Sequence, residues 1–382
     1  MCRGTVLNNR RKASHGNKPN TQLSKETNPD HSTVSGLFLY RNVFLRRSDK
    51  TKPKEFFELE FIPLSNHKIP IDENDDAHFK ALTVSPGLSG IKILNSCHGL
   101  LCCLGYDNIK HAEYYHVLNP TTKQSTTLPE PHLPGLEGLT LAFNPSKSPH
   151  YKVVSVWSSS RIVSIKPPYV HDCYYQIEIY SSETGSWRAS GEPFTVSAFQ
   201  LGIQEGVYWN GAIHWFCDGG DALYFNVDQE YLGTMPMPPI PEGKEYYDRA
   251  SRYAWESRDH LHMIDIYDGA YNRFNVYEMA RDYSEWFVKY QVDLDAVGAA
   301  FPRMMEILSG NEPFQAYIIL TLVREDNDED SFMVLHIPDG KIIRYNLVDK
   351  SFKTMYDEGL IEDPLRDLSW CAQHYIKSYT CV

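Results

Sequence analysis

The chain has 382 residues and a formal net charge of −12, and 42% of its residues are hydrophobic and 13% aromatic. This composition supplies enough apolar side chains for a large core and excludes a disordered acidic polymer. Residues 1–54 contain 12 basic and 3 acidic side chains, so the remaining residues carry a net charge of −21. A body this acidic repels phosphate backbones, which argues against nucleic-acid binding.

The eight cysteines form no Cys-x-x-Cys pair, and their scatter fits neither a zinc ribbon nor a disulfide scaffold. The start of the chain, Met1-Cys2-Arg3-Gly4, lacks the apolar segment of a secretory signal. The longest apolar run, Ala316–Val323, is too short to span a membrane. The sequence therefore predicts a protein of the cytoplasm or nucleus, without structural disulfides and without a membrane partner.

Residues 1–35 are polar and basic and show no apolar period, which predicts a disordered N-terminal segment. The cluster Arg10-Arg11-Lys12 fits a solvated tail, with a nuclear import signal as the alternative. An ordered domain is predicted over residues 36–382. From Phe56 the hydrophobic period is two, as in half-buried strands, and helical patterns are scarce.

Two hairpins stand out in the second half of the chain. Trp209-Asn210-Gly211-Ala212 has the Asn-Gly pair of a type I′ turn, and Ile337-Pro338-Asp339-Gly340 combines a turn-forming proline with glycine. A weak repeat underlies them, in which an apolar strand is followed by a polar turn and a strand that often begins with Trp or Phe. Its markers lie 45 to 68 residues apart: Leu118, Tyr180, Phe225, Tyr277 and Tyr345.

This spacing is that of a four-stranded propeller blade with loop insertions. The fold prediction is an all-β protein, a β-propeller of about six blades. Its ring should close by pairing Phe56–Leu64 with the region Trp370–Tyr375, because open strand edges would otherwise be exposed. The alternative is a pair of β-sandwiches, which explains frequent turns but not the longer period.

Three segments together resemble the plant F-box-associated β-propeller domain, over about residues 36–380. They are Asn95–Cys102 (NSCHGLLC), Leu118–Lys123 (LNPTTK) and Gly206–Trp215 (GVYWNGAIHW), in this order. A kelch propeller is less similar, because the double glycine expected in each blade occurs once, at Gly219-Gly220.

The resemblance implies a protein-interaction module. In such F-box proteins an N-terminal F-box docks on the Skp-type adaptor of an SCF ubiquitin ligase, and the associated domain holds the target for protein ubiquitination. Upstream of Gly36 this sequence has no F-box-like amphipathic run, and residues 1–35 resemble the linker that follows an F-box. We expect this chain to be the substrate-recognition part of such a protein, with a protein target as its partner. The adaptor and cullin are expected as partners only if an F-box is supplied from elsewhere. A related hypothesis is competition with intact relatives for targets.

Three residue patterns suggest chemistry at first sight. His260 and His262 share a strand face and suggest a metal pair; Cys97, Cys102 and Cys103 beside His98 suggest a nucleophile; Asp326–Asp330 is similar to a calcium loop. Each pattern is more simply explained by buried or solvated residues, so the sequence predicts no catalysis, metal or cofactor. The alternative function is a propeller enzyme or a carbohydrate or small-molecule binder. Carboxylates and a histidine converging on the central channel would favour the enzyme, and an uncharged channel with aromatic outer loops would favour the interaction module.

Aromatic residues divide into two groups. Trp187, Trp209, Trp215, Trp286 and Phe352 recur at blade-like positions and are predicted to wedge between neighbouring blades. Other tyrosines lie in predicted loops, where tyrosine makes good interaction anchors. The predicted partner-binding residues are Tyr169, Tyr246, Tyr247, Asp248, Tyr267 and Asp268.

Overall fold

Six antiparallel sheets surround a central channel in a computed structural model of the chain. The structure describes residues 34–44, 55–64, 88–107, 112–132, 135–162, 171–197, 202–310, 316–357 and 371–382. All of these lie in one compact unit, His31–Val382. The six-bladed all-β propeller is confirmed, and the alternative of two β-sandwiches is wrong. The N-terminal segment 1–35 lies outside the described residues except for its last two, which begin the first strand.

The strands follow each other blade by blade. β1 (Val34–Phe44) and β2 (Glu55–Pro63) belong to blade 1. Blade 2 consists of β3 (Leu88–Cys97), β4 (Leu100–Asp107), β5 (Ala112–Asn119) and β6 (Gln124–Thr127). Blade 3 consists of β7 (Leu136–Ala142), β8 (Lys152–Ile162), β9 (His171–Ser181) and β10 (Ser186–Ser197). Blade 4 consists of β11 (Val207–Trp209), β12 (Ala212–Trp215), β13 (Ala222–Asn226) and β14 (Tyr231–Met235).

Blade 5 consists of β15 (Arg249–Ser257), β16 (His260–Tyr267), β17 (Arg273–Met279) and β18 (Trp286–Asp293). Two short helices follow, α1 (Asp295–Ala300) and α2 (Pro302–Leu308). Blade 6 consists of β19 (Ile318–Val323), β20 (Phe332–Ile337), β21 (Lys341–Asn346) and β22 (Phe352–Asp357), and β23 (Cys371–Ile376) completes blade 1. Short 3-10 turns lie at Ile203–Glu205, Tyr246–Asp248 and Asp328–Asp330.

The innermost strands are β23, β3, β7, β11, β15 and β19, and each contacts the next around the ring. They run in the same direction: Gly138 lies against Ile203 and Gly206 against Thr140, so β7 and the start of blade 4 advance together. Between blades 5 and 6, the backbone of Arg324 donates to Ser257 Oγ at 2.9 Å where both inner strands end. We call the side where these strands begin the upper face and the side where they end the lower face.

Both ends of the described chain meet in blade 1. β23 pairs with β1, with Tyr375 opposite Gly36 and Cys371 opposite Tyr40, and β1 pairs in turn with β2. Closure of the ring by N-terminal and C-terminal strands is therefore confirmed. The predicted partner was wrong: β23 lies beside β1, not beside the strand that contains Phe56, and Trp370 lies outside the described residues. The ring has no open inner edge between blades 1 and 6, since β19 also contacts β23.

The repeat markers all fall in the third strand of a blade. Leu118, Tyr180, Phe225, Tyr277 and Tyr345 lie in β5, β9, β13, β17 and β21. The tryptophan wedges are confirmed as well: Trp187 and Trp286 are buried, and their indole N–H groups donate to the carbonyls of Pro129 and Pro236 at 2.7 and 2.8 Å. These bonds tie an outer strand to the connection that precedes its blade. The two buried indoles thus find their hydrogen-bond partners in the connections between blades.

The predicted turns have the expected backbone. Asn210 and Gly211 have φ angles of 51° and 79°, as a type I′ hairpin requires, and Asp339 and Gly340 have 68° and 65°. None of the helices in the described ranges has the length and hydrophobicity that crossing a membrane requires.

Candidate functional site

Several residues of the three recognisable segments hold blades together. Asn95 of β3 donates from its amide to the carbonyl of Leu139 at 2.6 Å and accepts from the N–H of Leu141 at 2.9 Å. Cys97 donates to the carbonyl of Phe143 at 3.2 Å. These bonds satisfy backbone groups of blade 3 from blade 2, so the first segment is an inter-blade clasp.

Asn119 performs a similar role for the end of the chain. Its fully buried amide donates to the carbonyls of Ser378 and Thr380 at 3.0 and 2.8 Å. Its oxygen accepts from the backbone of Thr121 at 2.9 Å and of Thr122 at 3.3 Å, which shapes the turn that follows. Asn119 thus pins the C-terminal residues to blade 2.

The third segment is also structural. The indole of Trp209 donates to the carbonyl of Asp259 at 2.9 Å, which links blade 4 to blade 5. His214 is buried, contacts the carbonyl of Val207 and, through Nε2, the hydroxyl of Tyr283 at 3.1 Å. Burial lowers the pKa of His214 to about 4, so the imidazole is neutral at pH 7. The segments that carry the family resemblance therefore specify architecture rather than chemistry.

The candidate nucleophiles are inert in this setting. Cys97, Cys102 and Cys103 are buried and unbridged, and burial raises the pKa of each thiol. Burial also lowers the pKa of His98, whose Nδ1 lies 3.5 Å from the sulfur of Cys97. A protonated thiol beside a neutral imidazole is not the thiolate that covalent catalysis needs.

The histidine pair of β16 is engaged by one carboxylate. His260 Nδ1 and His262 Nε2 lie 2.8 and 3.3 Å from the two oxygens of Glu278, and Arg324 donates to the same carboxylate at 2.8 Å. Burial opposes ionisation, but these neighbours outweigh it and hold the pKa of Glu278 well below its usual range. The positively charged guanidinium of Arg324 balances this carboxylate. The described ranges contain no group of three metal-ligating side chains suited to a metal ion.

The acidic turn Asp326–Asp330 also carries ion pairs. Asp328 contacts Lys289 at 2.5 Å and Arg324 at 3.1 Å, and Asp326 pairs with Arg258. Its carboxylates thus face basic side chains of blades 5 and 6, as expected for a solvated hairpin tip and not for a calcium loop.

The central channel has a volume of about 600 Å³. Charged or titratable side chains line the channel, so it is not the uncharged channel that would have favoured the interaction module. These side chains are Lys92, His98, Glu137, Glu205, Arg252, Glu256 and His374. Burial together with the charge of Asp259 raises the pKa of Glu256 to about 7, although the backbone N–H of Asp259 donates to it at 2.6 Å. Burial lowers the pKa of His374 to about 4, so this imidazole is neutral.

The predicted interaction tyrosines gather on the upper face of blade 5. Tyr246 and Tyr247 are 47% and 71% exposed, in the connection between β14 and β15, and their rings contact edge to face at 5.4 Å. Asp248 and Asp268 belong to adjacent loops, joined by a backbone hydrogen bond of 2.9 Å from Asp268 to Asp248. The structure therefore brings together four of the six predicted residues.

The other two predicted residues do not join this group. Tyr267 is the last residue of β16 and is only 5% exposed, so the expectation that it lies in a loop was wrong. The strand continues to Tyr267 because Arg249 of β15 still pairs with it. Tyr169 lies outside the described residues.

Fixed hydrogen bonds hold these loops in place. Asp248 accepts from the backbone of Glu245 at 2.8 Å, Lys244 donates to the carbonyl of Asp268 at 2.7 Å, and Tyr271 donates to the Asp268 carboxylate at 2.7 Å. One residue that was not predicted is Ile240, which is 45% exposed, and the neighbouring Pro238, Pro239 and Pro241 were a usable signal of a loop there. We call the group Asp218, Ile240, Glu242, Glu245, Tyr246, Tyr247 and Asp268 the upper tyrosine surface.

These features define a class of protein. It is a closed six-bladed propeller whose blades are joined by side-chain hydrogen bonds and whose upper face carries exposed tyrosines on hydrogen-bonded loops. Solved structures are similar to this chain at low sequence identity. TolB from Acinetobacter baumannii is 10% identical with a TM-score of 0.43, covering 90% of this chain and 67% of its own. An oligogalacturonate lyase in complex with manganese is 10% identical with a TM-score of 0.36, covering 85% of this chain and 86% of its own.

Sequence comparison is more specific. Residues 67–292 match the F-box associated beta propeller domain. An F-box protein of Arabidopsis thaliana is 34% identical over 288 residues, which is 72% of this chain and 66% of that protein's length. The chain belongs to the family of F-box-associated β-propeller domains, as the resemblance of its three segments implied.

Proposed function

We propose that this propeller is the non-catalytic substrate-recognition module of an F-box-type ubiquitin ligase and that it holds a protein target on the upper tyrosine surface. The single observation that supports this most is the exposure of Tyr246 and Tyr247 on loops fixed by hydrogen bonds. Rigid exposed tyrosines lose little conformational entropy on binding, and tyrosine is enriched among residues that dominate interface energies.

The proposed ligase role depends on an F-box. Residues 1–35 act as the basic linker that follows an F-box, and the domain from residue 36 onward binds the target. The Skp-type adaptor and cullin join only when an F-box is supplied, in the same polypeptide or by fusion. The protein works in the cytoplasm or nucleus, without a cofactor, and neither nucleic acid nor membrane is its partner.

Proximity labelling in cells, with and without proteasome inhibition, tests target recognition. We expect proteins that accumulate near the native chain under inhibition to be lost with Tyr246→Ala/Tyr247→Ala. The matched control is Phe287→Ala/Tyr379→Ala, which removes two other aromatic residues that are 41% and 63% exposed. An unchanged set of neighbours with the first variant would refute the assignment of this surface.

Adaptor binding is tested separately. An F-box grafted before Asn28 should allow the adaptor to co-purify, while the ungrafted chain should not retain it at matched expression. Stable capture by the ungrafted chain would mean that the propeller itself docks the adaptor. Capture by neither chain would remove the support for the ligase role.

A second candidate, binding of a small polar molecule in the channel, is favoured by one observation. Glu256 and His98 lie near the lower end of the channel, where the charge of Glu256 bears on Cys97, the neighbour of His98. A carboxyl group with a pKa near 7 both donates and accepts hydrogen bonds at physiological pH. A thermal-shift screen of sugars and small organic acids tests this, and a hit that survives Glu256→Gln unchanged would count against the site.

A further inference from the structure

The upper tyrosine surface is acidic as well as aromatic. Its three contributing segments, 217–221, 240–252 and 265–268, contain seven acidic and three basic side chains, a net charge of −4. The exposed carboxylates belong to Asp218, Asp221, Glu242, Glu245 and Asp268. A partner that docks on the tyrosines therefore meets a negative field.

Two of the three basic side chains lie beneath this surface. Arg252 is held below it by two bonds to Asp265, at 2.7 and 2.8 Å, and its side chain is 14% exposed. The side chain of Arg249 is 8% exposed and donates to Asp218 at 2.6 Å. Lys244 donates to a backbone carbonyl, that of Asp268. Arg249 and Arg252 are thus held beneath the surface, while the side chain of Asp218 remains 63% exposed above them.

We infer that the upper tyrosine surface recognises a lysine- or arginine-rich segment of its target protein. This inference rests on the proposed function and adds the chemistry of the partner. Basic side chains complement the surface in two ways, because their charged ends pair with exposed carboxylates and their aliphatic stems pack on tyrosine rings. Ile240 and the ring of Tyr247 then contact the apolar residues between the basic ones.

The occupant is a protein segment because the surface pairs carboxylates with apolar anchors. A nucleic acid or an anionic membrane would bring its phosphates against these carboxylates, which costs free energy. The charge also predicts kinetics: rim charges of this kind raise the association rate and make it sensitive to salt.

Selection from a phage-displayed library of random peptides of about twelve residues tests the inference. The full chain is the bait, and peptides that also bind Tyr246→Ala/Tyr247→Ala are discarded. We expect the remaining peptides to be at least about twofold enriched in Lys and Arg over the input library. Enrichment without a basic excess would overturn the inference while leaving the tyrosine surface in place, and the absence of tyrosine-dependent peptides would overturn it as well.

Fluorescence anisotropy with the selected peptides gives the quantitative test. Glu242→Gln/Glu245→Gln/Asp268→Asn should weaken binding at least about tenfold at low salt and flatten its salt dependence. The matched control, Glu130→Gln/Glu183→Gln/Glu192→Gln, changes the net charge equally at exposed positions on other blades and should alter affinity less than about twofold. Equal losses would mean that overall charge and not this surface attracts the peptide, which would refute the inference.

Discussion

The lower and upper faces of this propeller are built differently. On the lower face, the hairpin between the third and fourth strands repeats one device: the side chains of Asn119, Asn226 and Asn346 accept from backbone N–H groups two and three residues further on. Ser181 of blade 3 accepts in the same way from Glu183. On the upper face, the connections near the tyrosine surface share no such device, and each has its own length and bonds.

Features that every blade needs for folding recur around the ring, whereas the features proposed for recognition occur once. A repeated polar turn recurs because every blade must reverse its chain at the same place, and a side-chain oxygen satisfies the turn locally. Under the proposed function, recognition residues need not recur, since a target would contact one part of one face. Blade 5 is the exception on the lower face: there Tyr283 has a φ of 62° and stacks on Tyr224 of blade 4 at 4.6 Å.

The largest effect should follow from removing the strand that closes the ring. Deletion of the last fourteen residues, from Ser369, removes β23, the inner strand of blade 1, and leaves β1 and the neighbouring inner strands without their partner. We expect aggregation on expression, measured by size-exclusion chromatography. A soluble monomer with the heat resistance of the full chain would contradict closure by β23.

Replacement of the repeated asparagines should lower stability to different extents, because Asn119 also binds the C-terminal residues. Asn119→Ala loses four hydrogen bonds of a fully buried side chain and should lower the free energy of unfolding by about 3–4 kcal/mol. Asn226→Ala loses two bonds at the edge of the protein, and about 1 kcal/mol is expected. Urea denaturation of both variants measures the difference, and equal losses would show that the C-terminal residues are not pinned.

Glu256 should make stability depend on pH. Its folded-state pKa of about 7 lies above the ordinary 4.5, so the folded state binds the proton more strongly and stability falls as pH rises through this window. Glu256→Gln removes the charge and should raise the free energy of unfolding at pH 8 by on the order of 2–3 kcal/mol, with little gain at pH 5.

Denaturation at the two pH values measures this, with the exposed channel residue Glu205→Gln as control. A gain for Glu256→Gln that is the same at both pH values would contradict a buried, titrating carboxyl group.

The sequence predicts the features that recur from blade to blade better than the features that depend on distant contacts. Blade number, the third-strand markers and the Asn-Gly hairpin were predictable because each reflects a local rule that repeats, such as the positive φ angles of Asn210 and Gly211. The partner of β23 was mispredicted, since strand order between distant segments depends on packing across the whole ring. Tyr267 was misplaced because its burial depends on a ladder with Arg249, which no local pattern reveals. The charge of the channel stayed open in the sequence for a similar reason, because Glu256 reaches the channel from an otherwise ordinary strand.

The smallest effect on stability should come from the upper tyrosine surface itself. Tyr246 and Tyr247 are exposed and lie in a loop whose bonds run through Glu245, Asp248 and Lys244, so Tyr246→Ala/Tyr247→Ala should change the free energy of unfolding by no more than about 0.5 kcal/mol. Tyr267→Ala, one strand end away, removes a buried ring and should cost about 3 kcal/mol. Thermal and urea denaturation of the two variants, side by side, measures the contrast. Removal without loss of stability would show that the two rings are not part of the framework, whereas a large loss would mean that they are and would weaken the case for a docking surface.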